Sequence, residues 1–193
     1  MVLALLCHCR PGAGALLALA AAAACGSAQT PPAATPAPRS TVPAAPPTAT
    51  PAWLVADSAG KTVTVALQVT PASGGGPPLI NGHHHGSLQI VVPLNWTVQW
   101  DWRSADSTSP HSLVVMAERE KLPLEGGRAA FTNAMTRAVT AGLPIGQGDR
   151  TTFSADEAGW YWLLCGVPGH AIAGEFLGLR VDPDAKTAAV KTR

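Results

Sequence analysis

A series of short segments that alternate apolar and polar side chains sets the class of fold open to this chain: TVTVALQV (62–69), SLQIVV (87–92), WTVQWDW (96–102), HSLVVMA (111–117), TTFSA (151–155), GWYWLLC (159–165) and EFLGLRV (175–181). A period of two puts every second side chain on one face, and Val, Thr and Trp suit a half-buried pleated surface. Turn-forming breaks such as SGGGPP (73–78) separate them. Strands this short predict an all-β protein, an antiparallel sandwich or barrel spanning 53–182. Trp96, Trp100, Trp102, Trp160 and Trp162 lie in these segments and are expected to pack the core and the contact between sheets. Residues 118–149 are mixed, with Gly126-Gly127 and a short helix expected near Phe131 to Ala138. Residues 183–193 read as a polar C-terminal tail.

The residues before Trp53 are of another kind. Arg10 precedes an apolar run from Ala13 to Ala24. It is shorter than the about 20 residues a spanning helix needs and fits the apolar region of a secretory signal. The run ends in AAAACGS, so residues 1–25 read as a lipoprotein-type signal with lipid attachment at Cys25. Ordinary signal cleavage near Ala28 is the competing reading. Residues 26–52 are almost entirely Pro, Ala, Thr and Ser, which offers nothing to bury and predicts a disordered tether of polyproline II character. The protein is therefore expected to be exported to the periplasm or cell surface, touching the membrane only through Cys25.

Composition narrows the function by exclusion. The formal charge of +1, with 13% charged residues, gives no electrostatic footprint for nucleic acid or for an anionic membrane surface. Of the 4 cysteines, Cys7 and Cys9 leave with the signal and Cys25 is acylated or terminal. Cys165 is then alone in the domain, which rules out an internal disulfide framework. A lone thiol in an oxidising compartment needs a reason, and a metal supplies one.

The reason lies in CGVPGHAIAGEF (165–176). Four residues separate Cys165 from His170, and four more separate His170 from Glu175. A thiolate and an imidazole on one tight loop, joined by a second imidazole from another strand end, match a trigonal copper site. His111 fits that second position, because Pro110-His111-Ser112 opens an apolar strand after the polar turn SADSTSP. Pro168 restricts the loop, and Gly166 and Gly169 permit its tight bends.

CGVPGHAIAG resembles the copper loop of cupredoxins, the blue copper proteins, and specifically that of the sulfocyanin group. Asn81-Gly82, VPLNW (92–96), PHSLVV (110–115), AFTNA (130–134) and AGWYWLLCGVPGH (158–170) agree in order, so the resemblance covers essentially Trp53 to Val181. It implies a Greek-key β-sandwich, one mononuclear copper and one-electron transfer. Carried onto this chain, it makes His111, Cys165 and His170 the equatorial ligands. Ser112 falls where the family braces the cysteine loop from behind, and Pro168 supports that loop. In such proteins the apolar residues around the loop histidine, here Val167, Pro168, Ala171 and Ile172, dock redox partner proteins. A monomer that is not an enzyme is expected, and no residue is given a catalytic role.

Two departures matter. Where the family usually has an axial methionine this chain has Glu175, and none of Met1, Met116 and Met135 takes that slot. Close coordination by a carboxylate would favour Cu(II) and lower the reduction potential; a carboxylate outside the coordination sphere would leave copper three-coordinate. The second departure is His83-His84-His85, which reads either as a solvated loop or as a secondary metal loop. Both departures keep a second function open, namely copper storage, delivery or resistance. A multicopper oxidase is excluded by too few histidines, a dinuclear copper centre by the want of a second cysteine, and cysteine hydrolysis by the lack of an orienting third group.

Overall fold

The structure is a computed structural model and describes residues 50–119 and 121–193. The expected signal peptide at 1–25, the lipidation site Cys25 and all but the last residues of the 26–52 tether lie outside the described residues. Near the start of the described residues, Trp53 O accepts a hydrogen bond from Ala66 N at 2.8 Å, and Leu54 is buried.

Two sheets face each other. The first contains β1 (Leu54–Asp57), β2 (Thr62–Thr70), β5 (Trp96–Ser104) and β7 (Gly148–Ala155) in that order, with β3 (Leu79–Ile80) paired to β2. The second runs β10 (Ala189–Thr192), β4 (Leu88–Pro93), β9 (Phe176–Asp182), β8 (Gly159–Leu164) and β6 (Val114–Ala117). The predicted alternation is the observed one. β2 buries Val63, Val65, Leu67 and Val69, and β5 buries Trp96, Val98, Trp100 and Trp102. These meet Ile90 and Val92 of β4, Leu163 of β8 and Leu177 and Leu179 of β9 in one apolar cluster.

The sandwich is all-β, but its sheets are mixed. β2 pairs with β5, and β4 with β9, in parallel, while the other pairings are antiparallel. Alternation reports which face of a strand is buried and carries nothing about a neighbour's direction. The parallel pairs arise because the chain leaves β2 for β4 in the opposite sheet before returning as β5.

Three local expectations are corrected. The segment 183–193 is not a free tail: Ala189–Thr192 pairs antiparallel with β4, and Val190 is buried. Too few apolar residues stand there to signal a strand, yet β4 is buried along its whole length and needs a neighbour on that side. No helix forms at 131–138, because Asn133 and Ala138 take left-handed φ values of 66° and 53°. The hydrogen bonds of this stretch go instead to the neighbouring segment, with Ala130 N on Val115 O, Thr136 N on Leu113 O and Ala134 O receiving Val115 N. Trp160 is not in the core. It stands on the outer face of the second sheet, with the guanidinium groups of Arg180 and Arg193 at 4.6 and 5.1 Å from its ring.

Substituting Val190 by Lys tests the closing strand. Losing one fully buried valine is expected to cost about 2 kcal/mol, read as a lower denaturant midpoint with an unchanged slope. A variant as stable as the parent would mean that β10 contributes no burial.

Candidate metal centre

β6 and β8 run antiparallel with Val114 opposite Leu164. The residues just before β6 and just after β8 are therefore neighbours at one end of the sheet, and these are His111 and Cys165. The ladder of β6 begins only at Val114, since His111 diverges to pair with Leu143 in an isolated bridge. The loop after Cys165 folds into one helical turn, α1 (His170–Ala173), entered through Gly169 at φ 85° and left through Gly174 at φ 120°. Glu175 is the last residue before β9, and its carbonyl accepts from Cys165 N at 3.1 Å. The two strand ends thus bring the four groups together.

Their ligand atoms, from His111, Cys165, His170 and Glu175, all lie within 4.8 Å of one another, and no other such group occurs among the described residues. His111 Nδ1 is 3.0 and 2.9 Å from the two carboxyl oxygens of Glu175 and 4.0 Å from Cys165 Sγ. His170 Nδ1 is 3.1 Å from Glu175 Oε2 and 3.5 Å from Cys165 Sγ. Both imidazoles therefore present the same nitrogen to the thiol and the carboxyl. His111, Cys165 and Glu175 are fully buried, while the side chain of His170 keeps 23% of its surface exposed.

The protonation of the cluster follows from this geometry. Burial alone would push the His111 pKa down, but Cys165, Glu175 and Asp106 together lift it to about 10. Cys165 and then Glu175 raise His170 to about 9, against its burial. Burial would raise the Cys165 thiol; hydrogen bonds from His111 and His170 outweigh it and hold the thiol below its ordinary range. Without metal the site is a set of acceptors held together by protons on two rings.

A frame of backbone and hydroxyl groups fixes the loop. Ser112 N donates to Cys165 Sγ at 3.4 Å, Ser112 Oγ accepts from Gly166 N at 2.9 Å, and the same hydroxyl donates to Val139 O at 2.6 Å. Gly126 N donates to Gly166 O at 2.8 Å and Gly169 N to Leu124 O at 2.7 Å. A Cβ on Gly126 would stand 2.7 Å from Gly166 Cα, so the first glycine of the Gly-Gly pair is needed for close approach. Pro168 is exposed at the loop's tip.

The triple histidine does not converge on a site. His83 is held in a bridge with Ile80, while His84 and His85 face each other with Nδ1 atoms 2.7 Å apart. His85 instead packs beside the loop after Cys165: its N donates to Gly174 O at 2.7 Å, and a Cβ on Gly174 would collide with its ring. Reading the sequence also missed Asp106, whose buried carboxylate meets His111 Nε2 at 3.0 Å, and Ser109, whose Oγ lies 3.1 Å from the same nitrogen. The signal available was an aspartate in the turn just before His111, in a stretch read only as polar.

Comparison with known proteins finds one matching family and several likenesses. The sequence model of the sulfocyanin (SoxE) domain matches residues 49–189. Sulfocyanin of Sulfolobus acidocaldarius is 29% identical over 124 residues, which are 61% of this chain and 62% of that protein. The match thus spans less than two thirds of that relative's length. Among solved structures, rusticyanin from Thiobacillus ferrooxidans is 21% identical, covering 64% of this chain and 83% of that one, with a TM-score of 0.41. A solution structure of reduced rusticyanin covers 64% and 78% respectively at 21% identity, with a TM-score of 0.46.

The raised imidazole pKa values carry a signed consequence. Both rings are cationic at neutral pH, and a metal can use Nδ1 only after its proton leaves. Metal binding at neutral pH is expected to release the imidazole protons, and affinity should climb as pH rises toward about 9 and about 10, the values of His170 and His111. Calorimetry in buffers of different ionisation heat measures both; an affinity flat across that interval would contradict the protonation scheme.

Proposed function

This chain belongs to the sulfocyanin family, and we propose that it is a one-electron carrier of the cell envelope, holding a single copper between His111, Cys165 and His170. The observation that carries the reading is the buried convergence of one thiol and two imidazole Nδ1 atoms at one end of a rigid sandwich. The donor set fits the ion: soft sulfur with imidazole suits copper in both oxidation states. Copper supplies the redox chemistry, alternating between Cu(II) and Cu(I). The protein's part is to hold the donors in one arrangement for both states. Ser112 pins the sulfur and the loop backbone, Gly126 and Leu124 clamp the loop from outside, and His111 is rooted in the bridge to Leu143.

Glu175, expected at the position of the family's axial methionine, would add a carboxylate to the thiol and the two imidazoles. Its carboxylate already lies against both ligand nitrogens, fully buried. A hard anionic group there favours Cu(II), weakens the intense blue absorption and lowers the potential relative to a methionine. The same preference is the one feature that supports the alternative of copper storage or delivery. The two functions separate experimentally, because a carrier keeps its copper through repeated reduction while a delivery protein yields it readily to a chelator.

His170 offers the electron its exit. It is the only partly exposed member of the cluster, and the exposed Ile172 and Leu124 lie beside it, the latter through its bond to Gly169. This apolar collar, with Val167 and Pro168, is proposed as the docking surface for a redox partner protein; Ala171, expected in it, is buried and contributes nothing to the surface. Attachment through Cys25, with 26–52 as a tether, would keep the domain near membrane-bound partners. No helix among the described residues is long and apolar enough to cross a membrane.

Optical and EPR spectra of copper-loaded protein test the proposal. A visible thiolate-to-copper band is expected that bleaches on reduction and returns on reoxidation; a colourless copper-loaded protein would end this reading. Glu175→Met should intensify the blue band and raise the potential. Spectra and potential indistinguishable from the parent would remove Glu175 from the coordination sphere. Ile172→Glu should leave band and potential unchanged while slowing electron exchange with an apolar-faced redox protein, measured by stopped flow. An unchanged rate would place docking elsewhere.

A further inference from the structure

Asp106 is a buried acid that the electron-transfer reading does not use. It is 1% exposed, five positions before His111, in the turn that links β5 to the first copper ligand. Its two carboxyl oxygens have different partners. Oδ1 accepts from Thr108 N at 2.7 Å and from Thr108 Oγ1 at 2.6 Å, closing the turn locally. Oδ2 faces His111 Nε2 at 3.0 Å. His111 thus lies between two carboxylates, Asp106 on its Nε2 side and Glu175 on its Nδ1 side.

The turn does not account for the charge. An asparagine would close the same turn through its own Oδ1 and carry no charge into the interior. A buried carboxylate costs free energy unless something compensates it. Within this turn the compensation comes from the Thr108 donors and the His111 ring alone. His111 Nε2 has one proton to give, and Asp106 Oδ2 is its charged acceptor while Ser109 Oγ is a neutral one. Holding the proton on Nε2 leaves the lone pair on Nδ1, the nitrogen that faces Cys165 and Glu175.

We propose that Asp106 is a positioning residue for the copper site: by binding His111 Nε2–H it fixes the metal-binding tautomer, makes the imidazole a stronger donor, and biases the site toward Cu(II). The proposal rests on His111 being a copper ligand. Its direction follows from charge. Negative charge placed across the ring stabilises the oxidised ion more than the reduced one, so Asp106 lowers the reduction potential.

The test is Asp106→Asn, which keeps the turn and removes the charge, with Asp106→Glu and Thr108→Val as controls. Carboxylates that orient a ligand histidine typically matter by about 10- to 100-fold in metal affinity. The Asn variant is expected to lose Cu(II) affinity by that factor while Cu(I) affinity changes far less, which raises the potential by about 60–120 mV at 59 mV per tenfold. Asp106→Glu should restore part of the shift. Thr108→Val, which loosens the turn without touching the charge, should leave the potential near that of the parent. Nitrogen-15 NMR of the diamagnetic Cu(I) protein reads the tautomer directly: a downfield, slowly exchanging His111 Nε2–H is expected in the parent, moved upfield in Asp106→Asn. A parental spectrum without that protected proton would overturn the proposal, even if no Asp106 variant folds. So would an Asn variant with the parental potential, or a Thr108→Val shift as large as that of Asn. A protein that binds copper without using His111 would overturn both this proposal and the ligand assignment, whereas an unshifted potential with His111 still bound overturns this one alone.

Discussion

A thiol, two imidazoles and a carboxylate packed within 4.8 Å in the interior form an arrangement that only positive charge makes tolerable. In the metal-free protein that charge is carried by protons, which is why His111 and His170 hold theirs to about 10 and about 9. A metal ion replaces them with a single point of charge. Much of the irregular structure at this end of the domain exists to keep the acceptors from relaxing apart. Were the loop free to open, Glu175 and Cys165 would each find water and the site would dissolve.

The sandwich resists that opening in two ways. The ligands sit where strands end, so their backbones inherit the rigidity of β6, β8 and β9. The loop itself is then stapled from the side by the long segment between β6 and β7. Leu124, Gly126 and Val139 each supply one hydrogen-bonding group to the loop or to Ser112. Ser112 is the junction of these forces, since it contacts the sulfur, the loop backbone and the long segment at once. On the electron-carrier reading proposed above, a site held this way would present nearly one geometry to both oxidation states.

Legibility in the sequence followed the range of each interaction. Strand faces and the spacing of Cys165 and His170 are local patterns, and His111 stands out because it opens an apolar strand. Sheet order is not local: nothing in TVTVALQV or WTVQWDW says that β2 and β5 run parallel, because that depends on a crossover through the opposite sheet. β10 carries little apolar signal of its own and is strand only because β4 offers an edge. The stretch between β6 and β7 shows no periodicity because its backbone bonds are divided, some from Ala130, Ala134 and Thr136 to residues 113–115 and others from Leu124 and Gly126 to the loop after Cys165. Its Gly126, which in the sequence only marked a mixed stretch, is a point of backbone contact. Asp106 was hidden for the same reason, since a polar turn residue shows its purpose only once the ring it touches is in place.

The two carboxylates around His111 bear on one quantity from opposite sides. Glu175 faces Nδ1 of the ring and Asp106 faces Nε2. On the reading proposed above, both would place negative charge near an ion that loses one positive charge on reduction, and both would push the potential down. Burial limits how far this can go: each anion excluded from water costs solvation that the cation must offset. With Asp106 shared between Thr108 and His111, and Glu175 between His111 and His170, every buried carboxylate of the site has two partners. That pairing lets the interior hold this much negative charge.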